Sequence, residues 1–339
     1  MKILTLPDVQ KLIQILGITK FYQHLLFALT EDFGRWHQFH KSTRHATHYN
    51  HGVIELMPCS DDQFYGYKYV NGHPENPSQG MLSVVAIGQL SAVASGYPLM
   101  ISEMTLLTAL RTAATGALAA RYLARSDATK LAVIGNGAQA EFQVLALSSI
   151  LPIQQVYYFD IDEKAMTKFH NNLAGLGMEL FPGTSIKNTI PDADIILTLT
   201  AAKKRQTLFT MDELSPGVYI QAMGGDCPGK TELGPDILER AKVVVEYKPQ
   251  SLEEGEVQQC HEDAIYAELW ELVTEQKPGR INDTEITLFD AVGFALEDWS
   301  ILRVVYQLAE QYHLGTEMAL IPELVDPKNL YGLLSEKTH

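Results

Sequence analysis

Between Met223 and Leu233 the chain reads MGGDCPGKTEL, which sets an acid, Asp226, four residues before a cation, Lys230. Two chemistries compete for this stretch. Gly224, Gly229, Lys230 and Thr231 satisfy G-x-x-x-x-G-K-[ST], the pattern of a loop that cradles nucleotide phosphates, and a strand-like run, GVYIQAM, precedes it. A phosphate cradle, however, launches a helix straight from its Lys-Thr pair, and here Gly234 and Pro235 interrupt TELGPDIL at once. The next apolar run, AKVVVEY, carries no aspartate to hold magnesium, and an acid inside the loop is what such a cradle least needs. Asp226 is therefore expected at the carboxyl end of a sheet strand, where open α/β sheets place their ligands.

A second stretch, LAVIGNGAQAEF, carries the stronger nucleotide signal. Gly135, Gly137 and Ala140 form G-x-G-x-x-A directly after an apolar strand and directly before a helix. The first glycine permits the tight turn, the second lets backbone approach a pyrophosphate, and the small third residue lets helix and strand pack. The following strand, QVYYFD, ends in Asp160, at the spacing where an acid meets ribose hydroxyls. That acid repels a 2′-phosphate and no Arg follows it immediately, so NAD is favoured over NADP.

The elements that must position these residues follow from the apolar pattern. Beyond about residue 105, the Ala- and Leu-rich TLLTALRTAATGALAARYLARS reads as a long, mostly buried helix. Apolar runs then alternate with helical stretches: KLAVIGNG, AEFQVLALSSIL, QVYYFDID, EKAMTKFHNNLAGLG, ADIILTLT, GVYIQAMGG, AKVVVEY. This alternation predicts an α/β fold with a Rossmann-type, doubly wound parallel sheet. Before residue 105 come a helix-like opening, a His-rich stretch and strand-like runs such as YGYKYV and MLSVVAIG.

Bulk composition excludes several classes. With 339 residues the chain is long enough for two cores. Its net charge of −15, with no Lys/Arg run, argues against nucleic acid as a partner. Asn76 to Ser102 carries no charge over a membrane-spanning length, but Pro77, Gly80, Gly88, Gly96 and Pro98 break it into short strands and turns. Asp8, Gln10 and Lys11 interrupt the apolar run that a secretory leader requires, so a cytoplasmic location is expected. Cys59, Cys227 and Cys260 lie too far apart for a thiolate metal site, and Cys227 has no evident base to make it a nucleophile. His37, His40, His45, His48 and His51 suit no single face, and no carboxylate or thiolate lies among them, so no metal is expected.

Taken together, YKYVNGHPEN, SEMTLLTALRTAAT, IGNGAQAEFQ, GGDCPGKTEL, VVEYKPQ with EGEVQQ, and TLFDAVGFALEDW resemble the ornithine cyclodeaminase and mu-crystallin family, in order from Trp36 to Arg303. VNGHP with GGDCPGKTEL points to the cyclodeaminase branch, which turns L-ornithine into L-proline and ammonia with bound NAD. The same scaffold serves net oxidoreductases such as alanine dehydrogenase or ketimine reductase, and crystallin-like binding proteins without turnover. The resemblance implies a substrate-binding and dimerisation domain of α+β type (residues 1–112 with 304–339), a Rossmann domain (residues 113–303) and a homodimer.

Carried onto this chain, the resemblance gives Arg44, Lys68 and Arg111 to the substrate carboxylate, with Glu55 and Val292 beside them, and Asp226 as acid/base. It gives Ser83, Ala138, Gln139, Asp160, Thr200, Met223, Gly224, Gly225, Lys230 and Ala291 to the cofactor, with Gly135 and Gly137. An α-carboxylate does need fixed cationic donors, and Arg offers a two-pronged fork. Taken alone, Lys68 in a strand reads as a solvated edge charge, whereas Arg111 in an Ala-rich helix demands a partner. Ser83 replaces the family's Thr and keeps a hydroxyl. Ala291 replaces a Ser and loses one, and Leu252 stands for an Arg.

Overall fold

The computed structural model describes residues 1–202 and 204–334. The chain opens with β1 (Lys2–Leu4), α1 (Leu6–Leu16) and α2 (Ile18–Gly34). It then folds β2 (His40–Lys41), β3 (His45–Tyr49), β4 (Gly52–Ser60), β5 (Phe64–Gly72), β6 (Ala86–Ala92) and β7 (Pro98–Glu103) into one sheet. Pairing from β4 to β7 is antiparallel, while β1 joins β7 in parallel. Of the run MLSVVAIG, the first five residues lie outside the strand, which begins at Ala86.

Alternation along β5 decides what faces inward. Gly66, Lys68 and Val70 are buried while Tyr65 and Tyr69 are exposed. The inner face rests on a later helix, and the outer face presents Leu56, Tyr65, Tyr69 and Ile87 to solvent.

Helix α3 (Thr105–Leu123) is apolar on nearly every side and correspondingly buried, with Leu107, Leu110, Ala113, Ala114, Ala117 and Leu118 all at 0% exposure. It leads into β8 (Lys130–Ile134), α4 (Ala140–Ser148), β9 (Gln155–Phe159), α5 (Glu163–Leu173), β10 (Glu179–Pro182), α6 (Ile186–Thr189), β11 (Ile195–Thr198) and β12 (Tyr219–Ala222). There follow α7 (Pro235–Arg240), β13 (Lys242–Val245), α8 (Lys248–Glu254), β14 (Ile265–Glu268), α9 (Leu269–Val273) and β15 (Thr287–Asp290). These strands form a second sheet in the order β10-β9-β8-β11-β12-β15-β13-β14, parallel throughout, as strand–helix alternation predicts. Strand order reverses between β8 and β11, so the ligand crevice of the sheet lies above those ends.

Helix α10 (Ala295–Gln311) then returns beneath the first sheet, and β16 (Thr316–Glu317) pairs with β1 at its edge. The boundaries expected at 112/113 and 303/304 fall inside α3 and α10, which run unbroken through both points. The physical reason is burial: both helices are covered on most sides and contribute to the single large core cluster. Among the described residues no single helix is long and apolar enough to cross a membrane.

Trp299 on α10 pins the first sheet. It is 1% exposed, its Nε1 donates to the Phe64 carbonyl at 3.1 Å, and it meets the Phe39 ring edge-on at 5.0 Å. Trp299→Ala should destabilise the protein by ~3–5 kcal/mol, and Trp299→Phe by clearly less, read from denaturant midpoints.

Candidate active site

Above the switch point, the glycine loop is built as its sequence requires. Gly135 has φ +96°, and a Cβ there would sit 2.7 Å from the Leu199 carbonyl carbon and oxygen, so only glycine fits. A Cβ at Gly137 would meet nothing within 4 Å, which leaves backbone open to a ligand, and Ala138 beside it is exposed. Asn136 is fully buried with neither carboxamide atom bonded, and Gln139 Oε1 is also unpartnered. Asp160 closes β9 and accepts from the N–H of Asn136 at 2.6 Å and of Asp162 at 2.9 Å. Ile161 beside it is 94% exposed, an apolar platform that an aromatic base would cover. Open glycine backbone, unmet buried amides and a strand-end acid are the features a dinucleotide satisfies.

Facing this loop, the first sheet and α3 enclose a cavity of about 290 Å³ lined by Arg44, Glu55, Lys68, Ser83, Arg111, Asp226, Lys230 and Val292. Eight sequence-assigned residues thus converge, from β3's approach, β4, β5, α3 and three loops. Register explains part of this. Lys68 lies opposite Met57, two residues from Glu55, so Lys68 and Glu55 share the inner face. The other assigned residues lie along the second sheet: Met223, Gly224 and Gly225 follow β12, Ala291 follows β15, and Thr200 follows β11.

Lys68 is no edge charge. It is 1% exposed, and its Nζ lies 2.9 and 2.8 Å from the two oxygens of Asp298. Arg111 sends Nε to Asp298 at 2.9 Å and Nη1 to Glu297 at 2.5 Å. Both acids sit in the first turn of α10, where the helix dipole favours negative charge. Burial, reinforced by Arg111 and opposed by Asp298, pushes Lys68 down to about 8. Burial also works against the charge on Arg111, but Asp298, Glu297 and Glu246 outweigh it and raise its pKa. Burial and the adjacent Glu297 drive Glu246 well above the usual carboxyl range. Its Oε2 accepts from the N–H groups of Val292 and Gly293 at 3.0 and 2.6 Å and so holds the segment that borders the cavity.

Arg44 lines the same cavity and is oriented there by its own partners. Nη1 contacts Glu55 at 3.1 Å, Nε faces Glu254 at 3.1 Å, and Nη2 donates to the carbonyls of Val292 and Gly293 at 3.1 and 2.7 Å. Two carboxylates and two carbonyls thus orient the guanidinium, as Asp298 and Glu297 orient Lys68 and Arg111. Lys68 and Arg111 line the cavity beside it.

Asp226 lies at the cavity mouth, 54% exposed at its side chain, with Oδ1 3.0 Å from the buried Nζ of Lys230. The phosphate-cradle resemblance fails in three dimensions as well. Thr231 pairs in a bridge with Arg205, and the next helix starts only at Pro235. Among the described residues no cluster of His, Cys, Asp and Glu is arranged to hold a metal.

Sequence reasoning passed over Glu297, Asp298, Glu246 and Glu254. The available signal was ALEDWSIL, adjacent acids inside an apolar helix, which imply buried cationic partners. Burial, opposed by Arg44 and reinforced by Glu55, Glu253 and Asp226, pushes Glu254 up to about 7.

The model of the ornithine cyclodeaminase/mu-crystallin family matches residues 8–313. An ornithine cyclodeaminase from Agrobacterium tumefaciens (strain Ach5) is 47% identical over 331 residues, 98% of this chain and 93% of that protein. Among solved structures, a lysine cyclodeaminase, described as recognising L-lysine, L-ornithine and L-2,4-diaminobutyric acid, superposes with a TM-score of 0.92. It is 29% identical and covers 98% of this chain and 99% of its own. An archaeal alanine dehydrogenase dimer with bound NAD gives a TM-score of 0.87 at 30% identity, covering 95% of this chain and 99% of its own.

Since Lys68 is charged below about pH 8 and neutral above it, affinity for a carboxylate ligand should decline as pH rises through that value. Asp298→Asn removes the counter-charge and should move the decline to lower pH, while Lys68→Arg should abolish it. Calorimetric titrations across the neutral and alkaline range check this, and an unshifted curve for Asp298→Asn contradicts it.

Proposed function

Because the chain belongs to the ornithine cyclodeaminase/mu-crystallin family, we propose that it converts L-ornithine to L-proline and ammonia, with bound NAD reduced and reoxidised in each turnover. One observation carries the reading. A single cavity sets the buried cations Lys68 and Arg111 against the acids Glu55 and Asp226, beside the crevice of the parallel sheet. An anion-binding end and an acid-lined end suit a substrate with one carboxylate and two amines. A monoamine such as alanine has no second amine to meet these acids.

Gly135, Gly137, Asn136, Asp160 and Thr200 would hold the dinucleotide, which supplies, when bound, an acceptor for the hydride on the substrate's α-carbon and its later return. Lys68 and Arg111 grip the carboxylate and so fix that carbon through ring closure. Asp226 Oδ takes a proton from the α-ammonium, freeing the lone pair that expels hydride, and hands a proton to the departing ammonia. Lys230, at 3.0 Å, orients that carboxylate. Glu55 faces the distal amine and braces Arg44. The mostly buried walls keep water from competing with the amine for the electrophilic carbon.

A second copy of the chain is the proposed partner. The outer face of the first sheet exposes Leu56, Tyr65, Tyr69 and Ile87, and the segment leading into β6 exposes Leu82, Val84 and Val85, apolar side chains of the kind a homodimer buries.

Asp226→Asn keeps the shape and removes the proton carrier, so kcat should fall by about two to four orders of magnitude while NAD binding survives. Near-normal turnover would sink the assignment. Ornithine deuterated at its α-carbon should give proline that retains the label at that carbon, one ammonia per proline, and no steady rise of NADH. Stoichiometric NADH would make the protein a net oxidoreductase instead.

A further inference from the structure

Behind the Asp226 loop stand three carboxylates, Asp290, Glu256 and Glu232, each at 0% exposure. Every one holds the backbone of another segment. Asp290 accepts from the N–H groups of Glu256 and Val257 at 2.9 and 3.0 Å. Glu256 accepts from those of Glu232 and Leu233 at 2.8 and 3.0 Å. Glu232 accepts from the N–H of Thr200 at 2.6 Å and from its hydroxyl. These rungs run from the end of β15, next to Ala291 and Val292, to Thr200 on the cofactor side.

Each rung also rests against a glycine. A Cβ on Gly255 would lie 2.5 Å from Asp290 Oδ2, and one on Gly225 would lie 2.8 Å from Glu256 Oε1. A Cβ on Gly224 would overlap the Glu232 carboxyl group outright. Gly224 and Gly225 immediately precede Asp226, so the backbone that carries the acid lies directly on two of the rungs. Buried acids whose direct partners are backbone donors cost more stability than an apolar core would. That cost is what a fixed geometry requires.

We propose that Asp290, Glu256 and Glu232 are positioning residues, which together set the height of the Asp226 loop over the cavity and lock it to Thr200. The proposal rests on the reading of Asp226 as the proton carrier. Proton transfer needs hydrogen-bond reach, and a displacement of ~1 Å costs ~100-fold in rate. A small shift of Glu256 therefore acts on turnover without touching the carboxylate grip of Lys68 and Arg111.

The test uses the full chain saturated with NAD. Glu256→Gln keeps the volume but turns one acceptor into a donor facing a backbone N–H. Its kcat should fall ~10-fold or more, with KM for ornithine and Kd for NAD within ~2-fold. Amide hydrogen exchange at Glu232 and Leu233 should quicken. Gly225→Ala leaves every charge in place and presses a methyl on Glu256 Oε1, and at saturating NAD it should show the same fall in kcat with KM for ornithine unchanged, which keeps the test decisive if the Gln variant does not fold. Unchanged kcat in Gly225→Ala overturns the proposal. Loss of kcat, substrate binding and NAD binding together also overturns it, because that marks general collapse. Asp226→Asn measured alongside separates the two readings: full activity there with a slow Glu256→Gln removes Asp226 from the reaction and leaves the rungs as supports of Thr200.

Discussion

Two cations buried against two acids at the start of α10 hold this molecule in its working shape. Lys68 comes from the first sheet, Arg111 from the buried helix α3, and Glu297 and Asp298 from the helix that returns beneath the sheet. Separating any pair would strand a charge away from water, which costs far more than the net worth of the pair. The ion cluster therefore fixes the placement of β5, α3 and α10 relative to one another, and with it the floor of the cavity. Burial and the neighbouring Arg111 work against the proton on Lys68. Asp298 opposes them, and the result is a cation held near the limit of its charged range.

The same logic recurs with carboxylates. Burial pushes Asp290 up to about 7, and burial together with Asp290 pushes Glu256 up to about 8. These groups stay satisfied because backbone N–H groups of other segments point at them. Acids thus do structural work that cations do elsewhere. The glycines beside them matter for their lack of a side chain rather than for unusual backbone angles. Loops without regular structure gain definition from such contacts, and the loop bearing Asp226 is the functional beneficiary.

Much of the dinucleotide half was legible in the linear chain. A local turn, a helix start and a strand-end acid are set by neighbours in sequence, so Gly135, Gly137 and Asp160 fall where pattern predicts. The cavity half was less legible. Lys68 alone read as an edge charge, and its burial became visible only with α10 beneath the sheet. Arg44 was assigned to the substrate through the family resemblance, and nothing local revealed that Glu55, Glu254 and two carbonyls orient it in the cavity wall. The boundaries expected at 112/113 and 303/304 lie inside helices, since a break in pattern does not reveal that α3 and α10 run unbroken through those points.

The sequence by itself determined the parallel sheet, the glycine turn and the identity of the candidate acid, because each depends on short-range periodicity, sterics and residue chemistry. Tertiary structure alone decided which charges pair. Lys68 and Asp298 stand 230 positions apart, and Arg111 and Glu297 186. No local rule relates residues at such separations. Their partnership arises only when burial removes water as the alternative and leaves each charge to find its complement within the fold.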